Sequence, residues 1–245
     1  MTMMNDPHTA KAFDNDLQDI ARMVAEMGGL AEKQVAEAVD ALAKRDTVLA
    51  QSITQSDAAI DALQLEIEEK SVLTIARRQP LAVDLREIVG ALRLANDLER
   101  IGDLAKNIAK RVVALNTEFP PPKLIRGVEH MADLVLGQLK TVLDAYAQHD
   151  LTKAMVVWRG DEEIDAMTTS VFRELLTYMM EDPRNITFCI HLIFCAKNIE
   201  RMGDHATNIA ETVHYMVEGR PIADKRPKGD DTAAFATLRA AGDRA

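Results

Sequence analysis

Apolar residues recur along this chain at helical spacing, as in Leu98, Ile101, Ala105, Ile108 and Val112, so that they share one stripe of a helix. Runs of Val, Thr, Tyr and Phe in strand-like alternation are missing, and the abundant residues are helix formers. Three breaks divide the pattern: Pro80 after the run ARRQ, the tripeptide Pro120–Pro121–Pro122 after Asn116, Thr117, Glu118 and Phe119, and Asp182–Pro183. In the last of these Asp suits an N-cap and Pro the first helical position. Milder breaks fall at Lys44-Arg45-Asp46 and Gln148-His149-Asp150. The spacing predicts helices near 13–44, 47–78, 80–115, 122–148, 151–181 and 183–218, most of them about thirty residues or ~45 Å long.

The halves repeat one another. Residues 95–112, ANDLERIGDLAKNIAKRV, and residues 196–213, AKNIERMGDHATNIAETV, agree at ten of eighteen positions at an offset of 101, where chance gives about one. Upstream, Asp57-Ala58-Ala59-Ile60-Asp61 is echoed by Asp161-Glu162-Glu163-Ile164-Asp165. The expected fold is all-α: two tandem three-helix bundles related by internal duplication. The first covers 13–116 and the second 121–219, with flexible termini at 1–12 and 220–245; the tail from Arg220, including IADKRPKGDD, reads as mobile.

Composition narrows the partners. The 245 residues are 47% hydrophobic and 28% charged with a formal net charge of -10, the balance of a folded chain. An acidic protein is a poor nonspecific nucleic-acid binder, because displacing counterions from phosphates needs basic surface. Cys189 and Cys195, six apart in a helical stretch, point in different directions and read as reduced core residues. The opening MTMMNDPHTAKAFDND lacks the apolar core of a signal peptide, and no apolar run reaches the ~20 residues of a membrane span. The expected location is cytoplasmic.

Each half carries an Asp-x-x-x-Asp pair, Asp57/Asp61 and Asp161/Asp165, and a Glu-x-x-x-Asp pair, Glu99/Asp103 and Glu200/Asp204. Acids four apart share a helix face and repel by a few tenths of a kcal/mol. The frequency of such pairs carries no signal in a chain this acidic, but their positions do. The two pairs of each half are equidistant from a turn, residue 80 in one half and 182–183 in the other. An antiparallel hairpin therefore brings all four acids of a half to one level. Oxygen-only clusters suit Mg, Mn, Ca or iron. A solvated acidic face paired with arginine fits the same residues. A helical wheel sets Glu99 and Asp103 away from the apolar stripe, which places the cluster on the outer surface. Arg100 and Arg201, inside the downstream pairs, suit charge compensation or a partner's carboxylate or phosphate. Gly102 and Gly203 cost about 1 kcal/mol each in a helix, so a close neighbouring helix or bound species is expected there.

Other motifs are weaker. Glu211-x-x-His214 supplies one piece of a di-iron site whose other pieces are missing. His191 and Trp158 read as ordinary helical residues; His205, beside Asp204, has that reading and also reach to a bound ion. No Gly-rich phosphate loop, Ser/His/Asp arrangement or zinc-type spacing occurs, and no catalytic residue is expected.

NDLERIGDLAKNIA and KNIERMGDHATNIA, the Asp-x-x-x-Asp stretches before them and RRQPLAVDLREI at the turn resemble the PhoU family, accessory proteins of the bacterial phosphate-specific transport system; the likeness covers about residues 13–218. The resemblance implies six helices in two pseudo-twofold-related bundles. Some members bind multinuclear metal clusters through such pairs, which here assigns metal roles to Asp57, Asp61, Glu99 and Asp103 and to Asp161, Asp165, Glu200 and Asp204. The ions implied are divalent or trivalent, such as iron, Mn, Mg or Zn. Asp97 faces Asn198 in the repeat, which predicts sites unequal in affinity or nuclearity. The resemblance further implies a homodimer and a cytoplasmic negative regulator of phosphate uptake and of the phosphate-starvation response. It would act between the phosphate ABC transporter, through its ATPase subunit, and a sensor histidine kinase, reaching the membrane only through partners. A metal-free structural helical dimer and a surface-site metalloenzyme are the competing readings.

Overall fold

In the computed structural model the described residues are 7–115, 122–224 and 226, and their regular structure is entirely helical. Helices α1 (Pro7–Lys44), α2 (Thr47–Ser56), α3 (Ala58–Arg78) and α4 (Val83–Ala114) form the first half. The second comprises α5 (Pro122–Gln148), α6 (Leu151–Glu181), a 3-10 turn (Pro183–Asn185) and α7 (Ile186–Glu218). The linker 116–121 and the residues at 1–6 lie outside the described set. Residues 7–12, expected to be flexible, belong to α1.

The mild breaks are duplicated joints. Arg45 and His149 adopt left-handed φ of 60° and 52°, ending α1 and α5. The next residue caps the following helix: Asp46 accepts from the amides of Val48 and Leu49 at 3.0 and 2.9 Å, and Asp150 from those of Thr152 and Lys153 at 2.8 and 3.2 Å. Such caps satisfy amides that the first helical turn leaves unpaired.

Two boundaries differ from the sequence expectation. α4 starts at Val83 rather than 80, because Ala82 takes φ 48° and ψ -105°, outside the helical region; Gln79, the residue before Pro80, ends α3 with a left-handed φ of 51°. At the second hairpin Pro183 opens the 3-10 turn, capped by Asp182, and α7 follows at Ile186. The expected helix over 47–78 also lapses at Asp57, which keeps φ -55° and ψ -34°, so only the hydrogen-bond ladder is interrupted. Its counterpart α6 runs unbroken past Asp161.

α1 packs on α2, α3 and α4, and α5 on α6 and α7; the halves meet where α4 lies against α7 and α1 against α5. One continuous apolar core results, including Met27, Leu98, Ile101, Met131, Leu139, Ile199 and Met202. Cys189 and Cys195 are free and buried within it, and burial pushes their thiols up to about 11 and about 12. Across the α4–α7 seam Arg93 covers the Tyr215 ring at 4.9 Å and Arg111 the Phe194 ring at 4.4 Å. Among the described residues no helix is long and apolar enough to cross a membrane.

The helical glycines divide into two kinds. A Cβ on Gly203 would stand 2.8 Å from Ile164 Cδ1, and one on Gly102 would stand 3.0 Å from Ile60 Cδ1; one on Gly29 or Gly137 would meet nothing within 4 Å. The neighbouring helix therefore accounts for the two glycines between the acids. Gly203→Leu is expected to lower unfolding free energy by about 1–3 kcal/mol through overpacking. Gly29→Ala and Gly137→Ala should raise it by roughly 0.5–1 kcal/mol each. Urea unfolding of the three variants checks the contrast.

Candidate metal centres

The hairpin geometry brings the acids of each half together. In the first, Asp57 is only 2% exposed. It accepts from Gln34 Nε2 at 3.0 Å and from Lys106 Nζ, which also reaches Asp103 Oδ1 at 3.4 Å. Gln34 extends further to the Gly102 carbonyl at 3.4 Å, tying α1 to the glycine step of α4. Arg100 lies against Glu99 at 3.3 Å and Asp103 at 4.0 Å. The carboxyls act on one another through space. Desolvation, then the charges of Asp57 and Asp103, raise the Asp61 carboxyl against the opposing pull of Lys106. Desolvation also raises Glu99, opposed by Arg100 and reinforced by Asp103 and Asp61.

The second half repeats the layout with different neighbours. Asp161 is 3% exposed and accepts from Thr207 Oγ1 at 3.3 Å. The Arg226 guanidinium grips it in a fork, Nε at 2.9 Å and Nη2 at 2.8 Å, and Nη2 bonds Asp204 at 2.5 Å as well. Glu200 is buried, accepts from Lys197 at 2.7 Å through Oε1, and has no hydrogen-bond partner for Oε2 among the described residues. Burial raises its carboxyl, Lys197 opposes that, and the charges of Asp204 and Asp165 add to it. A cavity of about 220 Å³ between α6 and α7 includes Asp165, Glu200 and Lys197 in its lining.

The expected outer-surface placement needs correction. Asp57, Asp161, Asp165 and Glu200 are buried and Glu99, Asp103 and Asp204 half-buried; of the eight, only Asp61 is exposed. The close approach at Gly102 and Gly203 draws the facing helix over acids that a single-helix wheel assigns to solvent. The arginines differ too: Arg100 compensates its cluster, whereas Arg201 is exposed and has no ion pair among the described residues. Asp97 belongs to neither cluster. It crosses the α4–α7 seam to His205 Nδ1 at 2.8 Å and Asn208 Nδ2 at 3.4 Å. The position that aligns with His205 at the repeat offset of 101 is the buried apolar Leu104, so the Asp97–His205 pair has no equivalent for Asn198. Glu211 and His214 likewise diverge, to the Trp158 indole N–H at 3.1 Å and to the Arg220 carbonyl at 3.1 Å.

Sequence reasoning missed Gln34, Lys106, Lys197 and Arg226. Lys106 was readable as the residue three beyond Asp103 on the same helix face. Arg226 was not, since it arrives from the segment read as a mobile tail, of which only residues 220–224 and 226 lie among the described ones. Among the described residues no three acidic, histidine or cysteine side chains converge as preformed metal ligands. The donor set nevertheless suits a hard cation: carboxylate oxygens throughout, two clusters each already holding a cationic side chain, and a buried Glu200 oxygen without a partner.

Because its carboxyl is raised in the folded state, ionised Glu200 works against folding above its unfolded value, and that penalty fades as pH falls through the raised value. Glu200→Gln should therefore raise the Tm of metal-free protein by a few degrees at neutral pH and leave it unchanged below about pH 4. Thermal scans at both pH values check this; equal effects at the two would refute it.

The PhoU domain model matches residues 24–112 and 128–213. A phosphate-specific transport system accessory protein PhoU homolog of Rhizobium meliloti is 55% identical over 235 residues, covering 96% of this chain and 99% of that protein. A protein of the same description from Caulobacter vibrioides is 51% identical over 223 residues, covering 91% of this chain and 97% of its own length. Among solved structures, PhoU from Pseudomonas aeruginosa matches with a TM-score of 0.82 and 41% identity over 85% of this chain and all of that one. The phosphate transport system regulatory protein PhoU from Streptococcus pneumoniae matches with a TM-score of 0.80 and 28% identity, covering 86% of this chain and all of its own.

Proposed function

This chain belongs to the PhoU family, and from that premise we propose that it is an accessory protein of phosphate transport that restrains phosphate uptake and the phosphate-starvation response as a metal-binding adaptor. The observation that carries the transport role is the relationship to accessory proteins of the phosphate-specific transport system across 96% of the chain. The adaptor would sit between the phosphate ABC transporter, contacting its ATPase subunit, and a sensor histidine kinase. It would work in the cytoplasm and as a homodimer. Arg201, exposed and outside any ion pair among the described residues, is available to a partner's carboxylate or phosphate.

The metal reading rests on two repeated acid quartets. Asp57, Asp61, Glu99 and Asp103 would hold one centre, and Asp161, Asp165, Glu200 and Asp204 the other. Iron, Mn, Mg and Zn are the candidate ions. A bound ion supplies concentrated positive charge; the protein's own residues supply its oxygen donors and the rigid hairpins that set their level. Such charge would relieve the repulsion that raises Asp61, Glu99 and Glu200. A metal-free structural role has one observation in its favour: Lys106 and Arg226 already partner the acids.

Metal analysis of protein purified without chelator separates these readings. With Glu99 and Asp103 both replaced by Ala, metal content is expected to fall, the helical circular dichroism spectrum to persist, and phosphate-responsive transcription to become derepressed. Unchanged stoichiometry in the double variant would defeat the assignment of these residues, and metal-free wild-type protein of unchanged stability would favour the structural role.

A further inference from the structure

The duplication pairs Asp57 with Asp161 at an offset of 104 and Asp103 with Asp204 at an offset of 101. In both halves one cation bridges that same pair, yet the cations are not equivalent. Lys106 does so in the first half, from α4 itself. Its repeat partner is Thr207, an uncharged hydroxyl that donates to Asp161. The missing charge comes instead from Arg226, beyond the end of α7.

Chain length allows this. From Gly219 to the level of Asp204 is fifteen helical residues, about 22 Å, and the seven residues from 219 to 226 span at most ~24 Å. Gly219 reverses the chain with φ 72°, His214 Nδ1 pairs with the Arg220 carbonyl at 3.1 Å, and Ile222 packs on the core. The guanidinium is itself largely covered, its side chain 18% exposed. In the same cluster, Oε2 of buried Glu200 has no hydrogen-bond partner among the described residues, and the charges of Asp204 and Asp165 act on that carboxyl. The cluster thus has a donor that the arginine does not use.

We propose that Arg226 is a tethered stand-in cation for the second acid cluster, displaced when a metal ion binds there, so that release of the segment after α7 signals occupancy of that site. The inference rests on the metal reading above. The first half does not share the device. Lys106 is three residues from Asp103 on one helix, so its charge stays within a side chain's reach of the cluster and competes with an incoming ion without moving any backbone. Arg226 carries its charge away when its segment lets go. A short tether holds such a group at an effective concentration of order mM, enough to weaken an ion's apparent affinity without abolishing it.

Mn(II) binding to the full chain, followed by titration calorimetry, and hydrogen–deuterium exchange of the peptide spanning 219–226 test this together. Arg226→Ala should bind Mn(II) about tenfold more tightly at one site per chain, with Arg226→Lys between it and wild type. Saturating Mn(II) should speed exchange of the wild-type peptide, and the Asp161→Asn/Asp204→Asn variant should show that faster exchange without metal. Equal or weaker Mn(II) binding by Arg226→Ala overturns the proposal, as does binding that leaves the wild-type peptide protected. Those results would spare the metal reading. Absence of Mn(II) binding to both wild type and Arg226→Ala removes the metal reading, and the competition with it.

Discussion

A carboxylate placed between packed helices must find positive charge or strong donors, since an ionised group removed from water without them costs several kcal/mol. This constraint acts at Asp57 and Asp161, the least exposed of the eight acids. Each sits opposite a glycine step, Gly102 or Gly203, where the hairpin arms come close enough for an isoleucine methyl to fill the space of a Cβ. Close approach buries the aspartate, and the buried aspartate then requires the cation found beside it. The local packing and the site's electrostatics are one problem solved at one level of each hairpin.

Duplication supplied the problem twice but did not preserve one solution. Thr207 stands in the second repeat where Lys106 stands in the first, and the charge there comes from Arg226. The α4–α7 seam differs between the repeats in a similar manner: Asp97 meets His205, whereas the positions that align with these two are Asn198 and Leu104. A seam between two related helices places each residue against the partner of a different repeat position. Asp97 is bonded across the seam to His205 and Asn208, so the Asp97/Asn198 difference bears on the seam and not on the acid cluster of its own helix.

Much of the fold was legible in the sequence because its signals are local. The apolar stripe, the aspartates at 46, 150 and 182, and the proline breaks each act within a few residues. The level of the acids was legible for a related reason, since equal distance from a tight turn fixes height in an antiparallel pair. Burial was not legible. A wheel drawn for α4 alone contains no information about how closely α3 approaches, and it exposes residues that the facing helix covers. The lapse at Asp57 and the shift of the α4 start to Val83 turn on details of hydrogen bonding and of the backbone at Ala82 that periodicity averages away. Arg226 was hidden for a further reason: a lone arginine among Lys225, Pro227 and Lys228 has the composition of solvated chain, and only the unmet charge at Asp161 and Asp204 gives it a destination.

An acidic cluster meant to hold an exchangeable ion has to survive the ion's absence. Four carboxylates with no counter-charge would push the hairpin arms apart at the level where Gly102 or Gly203 needs them close. A protein side chain in the ion's place keeps the arms together, and the cost is competition with the ion. Where that side chain is anchored decides the consequence. Anchored on the same helix, as Lys106 is, it stays within reach of the cluster whether or not an ion is bound. Carried on a segment outside the bundle, as Arg226 is, it makes the balance conditional and couples it to the position of that segment. Two clusters built on one repeated plan thereby meet an incoming ion on different terms, one against a charge fixed to its own helix and the other against a charge that can leave.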